Sequence, residues 1–344
     1  MVLEERITLM SRLGQYFLEG DAAWLETVEK AYAHNRWFTP EFIQLAVENI
    51  TRQYLQTEKL QKWIAAFPSF RNNSNTAPEV GLVMAGNIPL VGFHDFLCVF
   101  LSGCRLKIKL SSKDTILWEF ILGLLGKWNP AFSQAVSVAE QLKNCTAYIA
   151  TGSNNSARYF EYYFRKYPHI IRSNRTSVAI LSGQETETEL AKLADDICCY
   201  FGLGCRNVTK IFVPEDYDFK PLLNALDRYG HHFDHTKYKH NYDFQLALYL
   251  LNKVEYMSSK SVLLVPSESA FAPISVLHYA YYENADELMG HLLKNQDLQC
   301  IVGNKNYFKQ TYDMIDFGTT QQPGLNTYAD NVPTLKFLNT LKER

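Results

Sequence analysis

The stretch that decides the fold is residues 201–214, which read Phe-Gly-Leu-Gly-Cys-Arg-Asn-Val-Thr-Lys-Ile-Phe-Val-Pro. Apolar residues recur at helical spacing before it, which predicts a buried amphipathic helix that runs up to a left-handed cap at Gly202. Residues 210–213 then predict a strand. Cys205 is therefore expected on a glycine-flanked turn between a helix and a strand, where backbone N–H groups can point at a bound oxyanion. Such a turn can present a thiolate to a substrate.

Cys205 also has a simpler interpretation, because cysteine is among the most buried residue types and this chain has seven. Its neighbours favour a chemical role over a packing role. Gly202 and Gly204 remove side-chain bulk near the sulfur. Arg206 adds positive potential if it faces the site, and positive potential favours the thiolate.

Composition restricts the class of protein. A chain of 344 residues is long enough for two domains, and 47% hydrophobic with 20% charged residues is typical of globular proteins. A net charge of −2 does not favour nucleic acid or an anionic membrane as a partner. Glu4 and Glu5 stand where a signal peptide would be basic, and no apolar run reaches membrane-spanning length. The cysteines are odd in number and irregularly spaced, which argues against a disulfide framework. We therefore expect a cytoplasmic protein.

Two patterns divide the chain. Residues 4–66 read as helices, with Thr39 as a cap and Pro40 as the next first helical residue. From Val80 onward short apolar runs alternate with amphipathic helices, which predicts a parallel sheet with helical crossovers. The expected strands are 81–84, 105–110, 145–150, 177–181, 210–213, 261–265 and 274–278, and the expected helices between them are 91–101 (closed by Gly103), 115–127, a short one near 133–142, 186–201, 221–228, 244–251 and 285–293.

Three polar or glycine-containing stretches follow the first three strands, where the ligand crevice of a parallel sheet lies. They are Gly86-Asn87-Ile88-Pro89, the segment Lys109 to Lys113, and Thr151-Gly152-Ser153. Each alone is typical of a simple strand-to-helix turn. A GxGxxG dinucleotide fingerprint is absent from this segment.

A metal site is not expected. His231 and His235 have the spacing of two ligands on a helix, but Gly230 and the mixed charges around them favour a loop.

Taken together and in order, these stretches resemble the aldehyde dehydrogenase superfamily, and within it the LuxC-like fatty acyl-CoA reductases. The resemblance extends from about Trp37 to Tyr328 and rests on residues 86–90, 107–113, 150–153 and the turn before Cys205. It implies an α/β fold with a helical N-terminal segment and a parallel-sheet, Rossmann-type cofactor domain over residues 1–175. An α/β catalytic domain that carries the nucleophilic cysteine would follow over 176–320, and residues 321–344 would form a C-terminal tail.

The resemblance also implies an activity. Cys205 would attack a fatty acyl thioester of coenzyme A or of acyl carrier protein, the Asn87 amide and the Cys205 N–H would meet the tetrahedral oxygen, and NADPH would reduce the acyl group to an aldehyde. The implied cofactor-binding residues are Lys109, Ser112, Lys113, Gly152, Ser153 and Phe271. The resemblance leaves a homodimer open.

Three departures from the superfamily pattern refine this hypothesis. The glutamate that activates water in aldehyde-oxidising relatives would fall within residues 172–177, which contain no carboxylate, so hydride transfer is favoured over hydrolysis. The ribose-binding glutamate is replaced by Ser112, with Lys113 beside it, which favours a 2′-phosphate and hence NADPH over NADH. Residues 271–274, Phe-Ala-Pro-Ile, resemble the superfamily segment Phe-Gly-Pro-Val, which is preceded by a glutamate that orients the nicotinamide ribose. Ser269 stands at that glutamate position in this chain, and Glu268 is one place away.

Two other classes of function stay open at this point. One is an acyltransferase or thioesterase that uses Cys205 without a nicotinamide. The other is a non-catalytic, aldehyde-dehydrogenase-like binding protein, which the missing glutamates would suit.

Overall fold

The computed structural model describes residues 1–71, 77–307 and 313–343. The chain divides into two compact units, of which the first comprises Met1–Asn174 with Pro323–Arg344 and the second comprises Arg175–Gln322. No helix in the described parts of the chain is both long and apolar enough to cross a membrane. All seven cysteines lie in described segments and are thiols.

The first unit begins with a helical block, as predicted. Its four helices are α1 (Leu3–Glu19), α2 (Ala22–His34), α3 (Pro40–Tyr54) and α4 (Thr57–Ile64). The start of α3 follows the expected cap, because the Thr39 side chain accepts a hydrogen bond from the Phe42 N–H and Pro40 is the first helical residue.

The first sheet has five parallel strands in the order β3-β2-β1-β4-β5. They are β1 (Glu79–Val83), β2 (Arg105–Lys109), β3 (Val136–Val138), β4 (Ala147–Thr151) and β5 (His169–Arg172), and the helices between them are α5 (Phe93–Ser102), α6 (Thr115–Trp128), α7 (Pro130–Ala135) and α8 (Asn154–Phe164). Helix α5 ends at Gly103 with φ 79°, the left-handed cap that the sequence predicts. The helix expected near 133–142 is wrong in part, because α7 ends at Ala135 and β3 follows at once as an edge strand.

The second unit contains a six-stranded sheet in the order β11-β6-β7-β10-β9-β8. Its strands are β6 (Thr176–Ile180), β7 (Val208–Pro214), β8 (Met257–Ser258), β9 (Leu263–Pro266), β10 (Val276–Tyr282) and β11 (Leu298–Val302), and its helices are α9 (Glu187–Cys198), α10 (Lys220–Leu226), α11 (Thr236–Leu251) and α12 (Ala285–Leu292). All neighbours are parallel except β8 and β9. Strand β6 is buried along its whole length, as expected of a parallel strand covered on both faces.

The residues expected as a C-terminal tail include a packed helix of the first unit. Helix α13 (Thr334–Lys342) buries Leu335, Leu338 and Leu341 in the core that also contains α5. Its first residue joins a buried ion pair, since Arg172 pairs with Asp95 and donates to the Thr334 hydroxyl at 2.9 Å. Apolar burial and this ion pair together explain why the segment does not extend into solvent.

Candidate active site

The turn before β7 differs from the expected simple helix cap. Helix α9 ends at Cys198, and residues 199–202 form a short 3-10 turn in which Tyr200, Phe201 and Gly202 all have left-handed φ values of 54°, 55° and 73°. The prediction that the helix continues to Gly202 is therefore wrong, although Gly202 is left-handed as expected. A left-handed conformation is ordinary for glycine and strained for tyrosine and phenylalanine, so surrounding contacts must hold it.

Cys205 lies in the next turn, which the Asn207 N–H closes by donating to the Gly204 carbonyl at 3.0 Å. It is three residues before β7 begins and is half-buried. The peptide groups on both sides of it are hydrogen-bonded. The Gly204 N–H donates to Oδ1 of Asn207 at 2.8 Å, and the Ser177 hydroxyl donates to the Cys205 carbonyl at 3.0 Å. The turn therefore presents Cys205 on a backbone that is fixed before and after it.

Asn207 is a residue whose importance the sequence analysis missed. Its side chain is fully buried, at 0% exposure, and its Nδ2 donates to the carbonyls of Asp196 at 3.0 Å and Cys199 at 2.9 Å. These carbonyls belong to the last turn of α9 and the residue after it, so the amide connects the end of the helix to the turn. The available signal was an asparagine two residues past a glycine-flanked cysteine, which is typical of local side-chain-to-backbone bonding.

Arg206 has a contact that the sequence did not predict. Its Nη1 donates to Sγ of Cys300 on β11 at 3.2 Å. Burial raises the pKa of the Cys300 thiol, and the nearby Arg206 charge and the Ser177 side chain oppose that rise. At least one N–H of the Arg206 guanidinium is thus directed at the buried Cys300 thiol on β11.

The segment that contains Phe271 is fixed on β7, the strand that starts just after the Cys205 turn. The Thr209 hydroxyl donates to the Ala270 carbonyl at 2.6 Å, and Nζ of Lys210 donates to the Glu268 carbonyl at 3.0 Å. Lys210 is 2% exposed, and burial lowers its pKa while the Glu268 charge opposes this. The second unit therefore holds the segment that leads to Phe271 against two residues of β7 that lie four and five positions after Cys205.

Ser269 stands at the position expected to contact a nicotinamide ribose. Its hydroxyl accepts from the Phe271 N–H at 3.1 Å and donates to the Phe271 carbonyl at 3.0 Å. Glu268 is exposed. Ser269 thus supports the local backbone of Phe271.

In the first unit the three predicted strand-end stretches lie at one edge of the sheet, because β2, β1 and β4 are adjacent and parallel. Asn87 is half-buried in the bend after β1. Gly86 packs so tightly that a Cβ there would be 2.4 Å from Oγ of Ser111 and 3.3 Å from Cβ of Lys113. The structure therefore brings the Gly86–Pro89 and Lys109–Lys113 stretches into direct contact, and glycine is required at Gly86 by space.

Asp114 supports the same contact and was also missed. Its side chain is 2% exposed, and Oδ2 accepts a hydrogen bond from the Leu90 N–H at 2.8 Å. Leu90 has φ 55°, a left-handed value that is strained for leucine. Burial raises the pKa of Asp114 well above its usual value, and the Leu90 bond opposes that rise. The carboxyl group thus holds the loop that follows Asn87.

The Lys109–Lys113 stretch has a fixed backbone and exposes the side chains of Lys109, Ser112 and Lys113. Nζ of Lys109 donates to the Glu140 carbonyl at 2.6 Å. The carbonyl of Ser112 lies 2.7 Å from Nε2 of His34, and the carbonyl of Lys113 accepts from Asn35 at 3.2 Å, while both side chains are exposed. Exposed hydroxyl and ammonium groups without a carboxylate among residues 109–113 suit a phosphate-bearing ligand.

Gly152 and Ser153 form the turn between β4 and α8. The Ser153 hydroxyl caps α8 by accepting from the Ser156 N–H at 3.3 Å. A Cβ on Gly152 would be 2.8 Å from Cβ of Ser156, so the glycine permits close packing of the turn. A helix that starts at this edge adds the positive end of its dipole there, which fits a phosphate group.

The histidine-rich segment after α10 is not the loop that the sequence predicts. Residues 227–234 form a 3-10 helix, and α11 starts at Thr236 with His235 as its cap. His232 is buried, and burial followed by the neighbouring His231 and His235 lowers its pKa to about 3. Within the described residues, no group of three or more histidine, cysteine or acidic side chains could hold a metal ion.

Comparison with solved structures identifies the fold. Aldehyde dehydrogenase 21 from Physcomitrella patens, in complex with its reaction product succinate, has a TM-score of 0.72 at 10% identity, over 99% of this chain and 84% of that one. A mutant of the indole-3-acetaldehyde dehydrogenase AldA from P. syringae, in complex with NAD+, has a TM-score of 0.65 at 12% identity, over 89% and 73%. An NAD+ complex of a Mycobacterium tuberculosis aldehyde dehydrogenase has a TM-score of 0.61 at 12% identity, over 84% and 70%. At such identities the similarity shows the fold, and it confirms the aldehyde-dehydrogenase-like prediction.

Sequence comparison identifies the family. No curated protein sequence matches the chain. A family model described as acyl-CoA reductase (LuxC) matches residues 21–232, which is more than half of the 344 residues and includes the Cys205 turn. The match confirms the predicted resemblance. The chain therefore belongs to the acyl-CoA reductase (LuxC) family and is built on the aldehyde dehydrogenase fold.

Proposed function

We propose that this protein reduces a fatty acyl thioester to the aldehyde with NADPH, through an acyl group held on Cys205. The observation that carries the proposal is the half-buried Cys205 on a turn whose peptide groups are bonded before and after the cysteine, in a chain of this family. A nucleophile needs a defined position more than it needs solvent exposure, because attack on a carbonyl requires near-alignment of the reacting atoms.

In the first half-reaction the Cys205 thiolate attacks the thioester carbonyl. The new C–S bond forms, the bond to the carrier sulfur breaks, and the carrier leaves as a thiolate that takes a proton. We assign the Cys205 N–H and the Asn87 amide to the tetrahedral oxygen, each worth about 3 kcal/mol in the transition state. The Gly204 N–H is not assigned because it donates to Asn207.

In the second half-reaction NADPH supplies a hydride to the acyl carbon. Cys205 then leaves as the thiolate and the aldehyde is released. Residues 172–177 contain no carboxylate to activate water, which supports reduction over hydrolysis.

Most of the proposed cofactor contacts follow from groups at the carboxyl edge of the first sheet, and one comes from the second unit. We assign the adenosine ribose and its 2′-phosphate to Lys109, Ser112 and Lys113, the pyrophosphate to the turn at Gly152 and Ser153, and the nicotinamide side to Phe271. The exposed Lys113 ammonium and the serine in place of a carboxylate support NADPH over NADH. NAD+ is bound in the structures from M. tuberculosis and P. syringae described above.

The acyl group would arrive on coenzyme A or on acyl carrier protein, and we place the reaction in the cytoplasm. A homodimer is compatible with the proposal, and size-exclusion chromatography with light scattering would determine it.

Intact-protein mass spectrometry tests the proposal. The purified protein is mixed with acyl-CoA thioesters of increasing chain length and then with NADPH. We expect an acyl adduct on the wild type and on a Cys199→Ala control, none on Cys205→Ala, and discharge by NADPH with aldehyde as product. Cys199 is a fair control because it is the other half-buried cysteine.

The other outcomes identify the competing functions. An adduct that forms on Cys205 but is indifferent to both NADPH and NADH would indicate an acyltransferase or thioesterase. Absence of an adduct at any chain length, with binding of acyl-CoA retained, would indicate a non-catalytic binding protein.

A further inference from the structure

We infer that Asn207 and Ser177 are the positioning residues of the nucleophile, and that they act by holding the peptide groups on the two sides of Cys205. The inference rests on the proposed function for its catalytic consequence. Its structural part is independent of the substrate.

The Asn207 amide holds the peptide group before Cys205. Its oxygen accepts the Gly204 N–H at 2.8 Å, and its nitrogen donates to the carbonyls of Asp196 at 3.0 Å and Cys199 at 2.9 Å. An amide is suited to this position because it combines one acceptor with two donors, whereas a carboxylate offers acceptors alone. At 0% exposure no water replaces these partners, so the amide determines where Gly204 lies relative to the end of α9.

The Ser177 hydroxyl holds the peptide group after Cys205. It lies on β6, is 0% exposed, and donates to the Cys205 carbonyl at 3.0 Å. The Ser177 N–H also donates to the Asn207 carbonyl at 3.2 Å, which joins the two positioning residues across neighbouring strands. The Cys205 backbone is thus held from α9 on one side and from β6 on the other.

The left-handed turn before Cys205 needs such support. Tyr200 and Phe201 adopt φ values of 54° and 55°, and both are buried. Two strained residues in succession persist only where surrounding contacts over-determine them, and the Asn207 bond to the Cys199 carbonyl is directly before them. Loss of Asn207 should let the turn relax and displace the sulfur of Cys205.

The experiment compares Asn207→Ala and Ser177→Ala with Leu222→Ala. Leu222 is a fully buried core residue of α10. Its replacement by alanine should destabilise the same unit without removing a hydrogen bond. The first measurement is the single-turnover rate of acylation of Cys205 by acyl-CoA, with KM and kcat determined separately. A displacement of about 1 Å costs on the order of 100-fold in rate, so we expect about that loss in kcat for Asn207→Ala and roughly 10-fold for Ser177→Ala, with KM little changed.

The second measurement does not depend on the substrate. The rate of iodoacetamide alkylation at Cys205, followed by peptide mapping, should differ from the wild type by at least about fivefold in both positioning variants and stay unchanged in Leu222→Ala. Amide hydrogen exchange should rise in peptides that cover residues 199–207 in the positioning variants alone.

Each outcome decides the question. Acylation and alkylation within twofold of the wild type in both folded variants would overturn the inference, as would an equal loss of both rates in Leu222→Ala. If Asn207→Ala does not fold, Ser177→Ala decides alone. If the wild type forms no acyl adduct, the proposed function fails, while altered alkylation in the variants would still support the positioning role.

Discussion

The two sheets carry their candidate site residues at different strand ends. In the first sheet the loops with Asn87, Ser112 and Gly152 follow the carboxyl ends of β1, β2 and β4, where ligand sites of parallel sheets generally lie. In the second sheet Cys205 precedes the amino end of β7. Topology thus locates a binding edge in the first sheet, whereas the position of Cys205 in the second unit depends on local hydrogen bonds.

The two regions are also held by different physical means. At the first sheet the strand-end stretches meet through close packing at Gly86, with the Asp114 carboxyl bonded to the Leu90 backbone. At the second sheet the buried amide of Asn207 and the hydroxyl of Ser177 hold the turn. The first region should therefore respond to added bulk and added charge, and the second to loss of a hydrogen-bonding group or to a buried charge.

Acid should affect the second region most strongly, through His232. This residue is 2% exposed, and its ring centroid lies 4.6 Å from that of Phe201 and 5.0 Å from that of Tyr238. Because burial and the neighbouring His231 and His235 lower its pKa from 6.5 to about 3, its contribution to stability is present above pH 6.5 and is lost as the pH falls toward 3. The expected loss is on the order of 2 kcal/mol by pH 5.

Hydrogen exchange between pH 7 and pH 5 measures this effect, after correction for the intrinsic pH dependence of exchange. Protection should fall in the peptides that cover residues 227–238 of the wild type and should be retained in His232→Phe, whose ring can pack against the same aromatic neighbours. His240→Gln, at an exposed position of α11, is the control and should behave as the wild type. Equal acid sensitivity in His232→Phe and the wild type would contradict the prediction.

Added bulk should disrupt the first region while leaving the hydrogen-bonded turn at Cys205 in place. Gly86→Ala places a Cβ 2.4 Å from Oγ and 2.7 Å from Cβ of Ser111, so the two stretches must separate. We expect a loss of about 1–3 kcal/mol of stability, typical of overpacking, together with weaker NADPH binding. Acylation of Cys205 should slow, because Gly86 directly precedes Asn87, whose amide we assign to the tetrahedral oxygen. Iodoacetamide alkylation of Cys205 should keep the wild-type rate, because the turn that contains Cys205 lies in the other unit.

The control for this prediction is Gly123→Ala. Gly123 lies in α6, and a Cβ added there would have no other atom within 4 Å. The substitution should therefore raise stability by roughly 0.5–1 kcal/mol through helix propensity. Thermal unfolding, NADPH titration, acylation and iodoacetamide alkylation are measured on both variants. If Gly86→Ala binds NADPH as the wild type does, the cofactor does not depend on this contact.

The smallest expected effect comes from a negative charge added at Ser112, which tests the assignment of the 2′-phosphate. Ser112→Glu restores a carboxylate beside Lys113 at an exposed position, where it would repel a 2′-phosphate and accept ribose hydroxyl groups. We expect the preference for NADPH over NADH, measured as the ratio of dissociation constants, to fall roughly tenfold, or about 1.4 kcal/mol. Thr340→Glu, which adds the same charge at an exposed site of α13, should leave the ratio unchanged. A ratio that does not move in Ser112→Glu would place the 2′-phosphate elsewhere.

Local patterns predicted much of the fold and of the candidate site. Alternation of apolar runs and amphipathic helices indicated the parallel sheets, Thr39 and Gly103 marked the helix ends correctly, and the glycines around Cys205 indicated the turn. These features depend on residues close together in the chain. The edge strands of both sheets were missed, because these short segments carry little of a pattern; they are β3 and β5 in the first sheet and β8 and β11 in the second.

The end of α9 shows where local reasoning fails. Apolar spacing continues to Phe201, yet the helix stops at Cys198. The carbonyls of Asp196 and Cys199 bond to the Asn207 side chain, which lies beyond the turn and competes with continuation of the helix. Periodicity indicates which face of a helix is apolar, but it does not predict a hydrogen-bond partner such as the Asn207 side chain.

The sequence by itself therefore determined the class of fold, the family and the residue types at each strand end, because periodicity, turn chemistry and ordered motifs are readable along the chain. Tertiary structure alone decided which groups hold those residues in place. Asp114 reaches Leu90 across 24 residues, Asn35 reaches Lys113 across 78, and Ser177 reaches Cys205 across 28. Each of these bonds exists because folding buries a polar group that must then find a partner, and the partner is chosen by the packing of distant segments.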